Sequence, residues 1–261
     1  MAPQHWLFRV ENKVATVSLN RPATGNNVNL DCLAELKQLS EKIAADADIH
    51  AVVLSGEGKH FSVGMDVAVI QQMVGQSFES YSEHLSAGQR AIDAFEAMQK
   101  PVIAKIQGFC IGAGIILAAC ADFRMSSDRA IYSLPEVQRS IGVIMGLNRV
   151  TRLIGVAHTK RMAMLGEKFS ATEMAAMGFL TKVCPGEKLS AEVDILLKKI
   201  LALPPQAVSL NKQIADFSYA EFLRASQRFE LERQYQLNGT ADFKEAMQSF
   251  FEKRPPRYTG K

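Results

Sequence analysis

The chain has no run of the roughly 18 to 20 apolar residues that a membrane helix needs. Its nearest approach, residues 115–121, has the length of a core helix. Basic blocks are missing too: 30 basic against 27 acidic side chains leave +3, spread along the sequence, which offers no footing for nucleic acid or an acidic membrane surface. Cysteine is sparse. Cys32, Cys110, Cys120 and Cys184 stand far apart and make no Cys-x-x-Cys pair, so they are expected as reduced thiols rather than metal ligands or disulfides. The N-terminus lacks the charged-then-apolar layout of a signal peptide, and Tyr258-Thr259-Gly260-Lys261 carries no lipidation or peroxisomal signal. Short repeats, low-complexity tracts and long linkers are absent as well. The expectation is a soluble, cytoplasmic protein that binds neither nucleic acid, membrane nor metal. With 261 residues, 48% of them hydrophobic, the chain can bury a sizeable core, which excludes disordered and fibrous classes.

The first half alternates β-branched runs with helical periodicity, the rhythm of an α/β domain. Residues 14–19 read as a strand closed by Asn20-Arg21-Pro22, and residues 51–54 and 102–106 read as buried strands. Leu33, Leu36, Leu39 and Ile43 recur at helical spacing behind an N-cap at Asn29 or Asp31. A helix is expected over about 80–99, ended by Pro101, and another over 115–121. Beyond residue 150 the pattern turns helical, over 151–165, 171–177, 191–202 and 219–236. Phe222, Ala225 and Phe229 mark an apolar stripe that a packed appendage or another copy would cover. A boundary near Leu203 divides residues 1–203 from a helical region, 204–261.

Three segments carry more than fold class. His60-Phe61-Ser62-Val63-Gly64-Met65-Asp66 follows a buried strand. Gln107-Gly108-Phe109-Cys110-Ile111-Gly112-Ala113-Gly114 runs into an almost wholly apolar helix. Tyr132-Ser133-Leu134-Pro135-Glu136 places an acid after a short strand-like piece. Small residues at a helix start leave backbone N–H groups free, and the helix dipole favours negative charge there. Before a buried helix, small residues more often serve tight backbone packing. Neither Gly112-Ala113-Gly114 nor Gly56-Glu57-Gly58-Lys59 has the spacing of a nucleotide-binding loop. Glu136, read alone, suits a helix cap or an ion pair with Arg139 better than it suits acid–base work.

In this order and at these separations, the three segments resemble the crotonase (enoyl-CoA hydratase/isomerase) superfamily. The likeness runs from Val14 through Leu165-Gly166-Glu167-Lys168-Phe169-Ser170-Ala171 and Met177-Gly178-Phe179-Leu180 to Phe251-Glu252-Lys253-Arg254. It implies a spiral of ββα turns over residues 1–203, and a trimerising helical region over 204–261 that builds homotrimers or hexamers. It also implies an acyl-CoA thioester substrate, with coenzyme A as part of the substrate and no separate cofactor. By position, the N–H groups of Met65 and Ala113 would form the hole for the thioester oxygen, each worth about 3 kcal/mol to an enolate in comparable sites. Ser62, Val63, Gly64, Ala68 and Gly112 would line the substrate and CoA channel. Lys253, with Arg254 and Arg257, would meet CoA phosphates or simply form a solvated basic tail.

Two departures bear on the reaction. Hydratases of the family hold water between two glutamates, and the first of these positions is Ile116 here, beside a retained Glu136. Where hydratases run Pro-Gly-x-Gly-Gly, this chain has Met145-Gly146-Leu147-Asn148-Arg149. One carboxylate suffices to move a double bond from the 3- to the 2-position, as in the family's single-glutamate isomerases, and an apolar wall including Ile116 would raise its pKa to suit. Ile144 stands where a dienoyl isomerase carries a further acid. The expectation is an enoyl-CoA isomerase. The alternatives are a hydratase-like enzyme, a hydrolytic or decarboxylating relative, and a non-catalytic CoA-binding homologue. Asp66 is expected to cap a helix and His60 to lie at the surface or the CoA rim. His84 is expected near a lid-like segment, 71–83. Asn148 and Arg149 either close the water pocket or recognise a polar acyl group.

Overall fold

Asn12 and Lys13 adopt φ values of 50° and 67°, the doubly left-handed turn that matches the twist of a tight hairpin. They join β1 (Trp6–Glu11) antiparallel to β2 (Val14–Leu19). In the computed structural model, which describes residues 5–72, 75–217 and 219–260, the chain continues through α1 (Leu30–Ala45), β3 (Ala51–Gly56), α2 (Val67–Gln72), α3 (Phe78–Glu96), β4 (Val102–Ile106), β5 (Phe109–Ile111) and α4 (Ala113–Ala119). Then come β6 (Phe123–Ser127), β7 (Ile131–Ser133), α5 (Leu147–Leu165), β8 (Lys168–Ser170), α6 (Ala171–Ala176), β9 (Lys182–Cys184) and α7 (Leu189–Leu201). The last three helices are α8 (Pro205–Asp216), α9 (Tyr219–Asn238) and α10 (Ala241–Glu252). Residues 1–4 of the expected core, 73 and 74 of the expected lid, and Lys261 lie outside the described residues. No helix among the described residues is long and apolar enough to cross a membrane.

The strands form two sheets, one ordered β1-β2-β3-β4-β6-β9 and one ordered β5-β7-β8. β4 and β6 join the larger sheet, and their immediate successors β5 and β7 pair parallel in the smaller one. The β3 turn does the same in miniature, since Ser62 bridges Cys110 of β5. One strand to each sheet and then a helix is the ββα spiral expected from the sequence. It stacks the loops that follow successive turns above one another, which brings residues 62–66, 110–114 and 133–136 together.

Local chemistry fixes the helices. Asn29, not Asp31, caps α1, its side chain accepting from the Cys32 N–H at 2.8 Å. Every residue of α4 is buried, so this short helix is held by its surroundings rather than by an amphipathic face. α5 starts four residues before the expected 151, and at Gly155 (φ 76°, ψ 166°) its backbone leaves the helical region, dividing it into two. α7 ends at Leu201 and α8 begins at Pro205, on either side of the expected boundary. The stripe on α9 faces the other way from the expectation. Phe222 and Phe229 are 65% and 59% exposed, while Leu223, Gln227, Leu231 and Gln234 turn inward. The inward glutamines have polar partners waiting, so apolarity alone does not mark the packed face.

Candidate functional site

Ser62 is fully buried and its hydroxyl donates to Asn26 O at 2.7 Å. It ties the loop down from within, so its side chain cannot line a channel as expected. Around it, Val63 N–H donates to Gly25 O, Val28 N–H to Gly64 O and Asp66 N–H to Val28 O. The Met65 N–H between them has no acceptor among the described residues. Gly64 takes φ 98°, and a Cβ there would stand 3.0 Å from Ile111 O and 3.6 Å from Ala113 N. The two glycine loops are thus packed backbone to backbone. Tight packing and free donors prove compatible, because Ala113 opens α4 and its N–H also lacks an acceptor among the described residues.

Gly112 adopts φ 54° and donates its N–H to Ser133 O at 2.9 Å. Glu136 lies in a single 3-10 turn, Pro135–Arg139, that follows β7. Its Oε2 is buried without a hydrogen-bond partner. Burial pushes the carboxyl up to about 7, opposed weakly by its own backbone amide and by Arg139. It faces a cavity of about 80 Å³ whose walls include Met65, Ala113, Ile116, Leu85 and Met145. Glu136 is the one ionisable side chain among the described residues of that wall. Ile116, fully buried on α4, supplies hydrocarbon where a second acid would stand. Together these groups offer two amide donors, one carboxyl titrating near neutrality and a dry surface, the components of proton transfer next to an oxyanion.

Several expectations change here. Arg139 makes no ion pair with Glu136; its guanidinium stacks on Phe250 at 4.8 Å. Arg149 does not reach the cavity. It is fully buried with Nε 2.8 Å from Glu96 and a terminal nitrogen 2.5 Å from Asp93, a strut between α5 and α3. Asn148 is absent from the cavity wall as well. His84 lies on α3, with Nδ1 3.3 Å from Gln76 Oε1, beside a separate surface groove between α1 and α3. The expected lid over 71–83 is in part regular structure, since 78–83 form the first turns of α3.

His60 stacks on Phe109 at 4.6 Å and accepts the Phe109 N–H through Nδ1. Asp66 accepts from Ala68 N–H at the start of α2, as a cap does, and pairs with Arg21 at 3.4 Å. Val63 packs against Gly25 and Ala68 is exposed. Lys253 is exposed at the end of α10, whereas Arg254 is engaged by Glu245 and Glu252. The sequence reading missed Ile141 and Val143 in the cavity wall, because an apolar residue at a loop position carries no mark of what it faces.

The family model for enoyl-CoA hydratase/isomerase matches residues 9–261. Among curated relatives, a crotonyl-CoA hydratase of Syntrophomonas wolfei is 31% identical, with 100% of each chain covered. A trans-2-decenoyl-[acyl-carrier-protein] isomerase of Streptococcus mutans is also 31% identical, with 98% of each covered. The crystal structure of an enoyl-CoA hydratase from Mycobacterium avium subsp. paratuberculosis superposes with a TM-score of 0.86 at 25% identity, covering 98% of each chain. With the spiral, the paired glycine loops and the buried glutamate in place on a chain that the family model matches over residues 9–261, this protein belongs to the enoyl-CoA hydratase/isomerase family of the crotonase superfamily.

Proposed function

We propose that the chain moves the double bond of a 3-enoyl-CoA to the 2-position, with Glu136 as its one acid and base. The carboxylate takes a proton from C2. The electron pair moves into the thioester, whose oxygen becomes an enolate oxygen held by the Met65 and Ala113 N–H groups. The carboxylic acid then returns the proton to C4 as the double bond settles between C2 and C3. The observation that carries this reading is the unpartnered Glu136 oxygen in a cavity otherwise walled by hydrocarbon, Ile116 included. Hydration needs a second polar group to orient water, and that wall has none among the described residues.

The hydratase and the isomerase relatives are equally similar to this chain, so overall likeness does not choose between their reactions. What supports isomerisation in this reading is the hydrocarbon wall around the single carboxyl. In this reading the CoA portion leaves past Val63, Gly64, Gly112 and exposed Ala68, with Lys253 free to meet a phosphate. Region 204–261 assembles trimers through its exposed aromatic face, and light scattering of the purified protein tests that part.

The experiment on the reaction offers 3-enoyl-CoA and 2-enoyl-CoA separately, follows absorbance of the conjugated thioester and separates the products. Conversion of the 3-enoyl to the 2-enoyl form without 3-hydroxyacyl-CoA is expected. Rapid 3-hydroxyacyl-CoA formation from the 2-enoyl form would overturn the reading in favour of hydration.

A further inference from the structure

Residues 141–146 connect the Glu136 turn to α5 and belong to no helix or strand. Ile141, Gly142, Val143, Ile144 and Met145 nonetheless supply much of the cavity wall. A wall without a hydrogen-bond ladder of its own must find partners for its backbone elsewhere. One lies at the glutamate itself, since Ile141 N–H donates to Glu136 O at 3.2 Å. Others come from two distant helices. Gly142 N–H donates to Gln234 Oε1 at 2.6 Å, and the N–H groups of Gly146 and Leu147 donate to the two carboxylate oxygens of Glu230 at 2.9 and 3.1 Å. From the opposite side, Gln89 of α3 donates to Ile144 O at 2.8 Å.

Glu230 and Gln234 are one helical turn apart on α9 and so share a face. That face grips the wall at both of its ends. The approach is close: a Cβ on Gly142 would stand 3.2 Å from Gln234 Oε1, and one on Gly88 of α3 would stand 3.2 Å from Met145 Cε. The wall is held between α9 and α3 with little room to give. The space it encloses is small, about 80 Å³, and suits the tail of a short acyl chain.

We propose that Gln234 and Glu230 of α9 are positioning residues that hold the 141–145 wall at its distance from Glu136 and thereby limit the length of acyl chain the cavity admits. The inference rests on the acyl-thioester reading of this cavity.

The test titrates wild type, Gln234→Met, Gln234→Glu and Glu230→Gln with butyryl-CoA and octanoyl-CoA, saturated thioesters that bind without reacting. Methionine fills the space of Gln234 but offers Gly142 no comparable acceptor, whereas glutamate keeps one. The ratio of octanoyl to butyryl affinity is expected to rise at least fivefold in Gln234→Met and in Glu230→Gln. It should stay within twofold of wild type in Gln234→Glu. Equal weakening of both thioesters, or a lower melting temperature with an unmoved ratio, marks merely structural contacts and overturns the proposal. So does a ratio in Gln234→Glu as displaced as that in Gln234→Met. If Gln234→Met does not fold, Glu230→Gln decides alone. Turnover of 3-enoyl-CoA by wild type is scored separately. A shifted ratio without turnover keeps the positioning role and discards the isomerase reading, while turnover with an unmoved ratio does the reverse. Failure of wild type to bind either thioester overturns both.

Discussion

The Oε1 atom of Glu136 lies 2.6 Å from the point where a Cβ on Gly112 would project. The carboxyl therefore rests against bare backbone at a position that also takes φ 54°. Replacing Gly112 with alanine meets both obstacles at once. The strain costs about 1–3 kcal/mol, and displacement of the carboxyl lowers kcat about a hundredfold. Steady-state kinetics beside chemical denaturation measures both. Wild-type turnover in Gly112→Ala would show that the close approach is incidental.

The pH dependence follows from the carboxyl's position near 7. A base acts ionised, so kcat/KM for isomerisation should rise with pH and level off above about 7. Glu136→Gln should lower kcat by about two to four orders of magnitude while acyl-CoA binding persists. Stability runs the other way. The folded pKa is raised, so the native state holds its proton more tightly than the unfolded chain. The fold therefore loses stability as pH climbs from the usual carboxylate range to about 7, and the loss is complete above that. Glu136→Gln abolishes this term. It should be more stable than wild type at pH 8, by up to about 3 kcal/mol, and show no such gain at pH 4. Glu230, likewise raised to about 7 by burial, adds a slope of the same sign in both proteins and cancels in the comparison. Equal denaturation curves for the two proteins at pH 8 would contradict the account.

Ile116 tests the cause of the shift. Serine there wets the wall, relieves desolvation of Glu136 and should move the midpoint of the pH–rate profile below 7. The cost is the burial lost from a fully enclosed isoleucine, about 2–4 kcal/mol. An unmoved midpoint in Ile116→Ser would mean that something other than this hydrocarbon face sets the carboxyl's affinity for its proton.

Arg149 should be a stability residue. Methionine in its place strands Glu96, which is largely buried, and the more exposed Asp93 without their cation. Urea denaturation should show a loss of about 3–5 kcal/mol. Lysine should recover only part, because it cannot span both acids with a planar fork. The pH midpoint of the surviving activity should stay near 7.

The site was legible where its chemistry is local. Gly112, Ala113 and Met65 sit in contiguous loops whose small residues announce a close approach, and Glu136 follows its strand directly. Asn148 and Arg149 stand next to one another where a glycine pair was looked for, and nothing nearby told that Arg149 turns away to acids 53 and 56 residues upstream. Its geometry even consumes a glycine: a Cβ on Gly146 would collide with the guanidinium. The α9 stripe misled for a related reason. Periodicity reports that a helix has two unlike faces, but which one turns inward depended on Gly142, Gly146 and Leu147 having N–H groups to satisfy. Such a demand has no local signature.

The four cysteines, all free and buried, have a practical consequence. Cys110 on β5 and Cys120 at the end of α4 bracket the helix that presents Ala113, and burial raises both thiols far from the reactive range. An alkylating reagent reaches them only when that segment opens. Cys32 on α1 and Cys184 on β9 sit elsewhere in the spiral. The modification rate of each thiol therefore clocks the breathing of its own region, and a tight-binding thioester should slow Cys110 and Cys120 before it slows the other two.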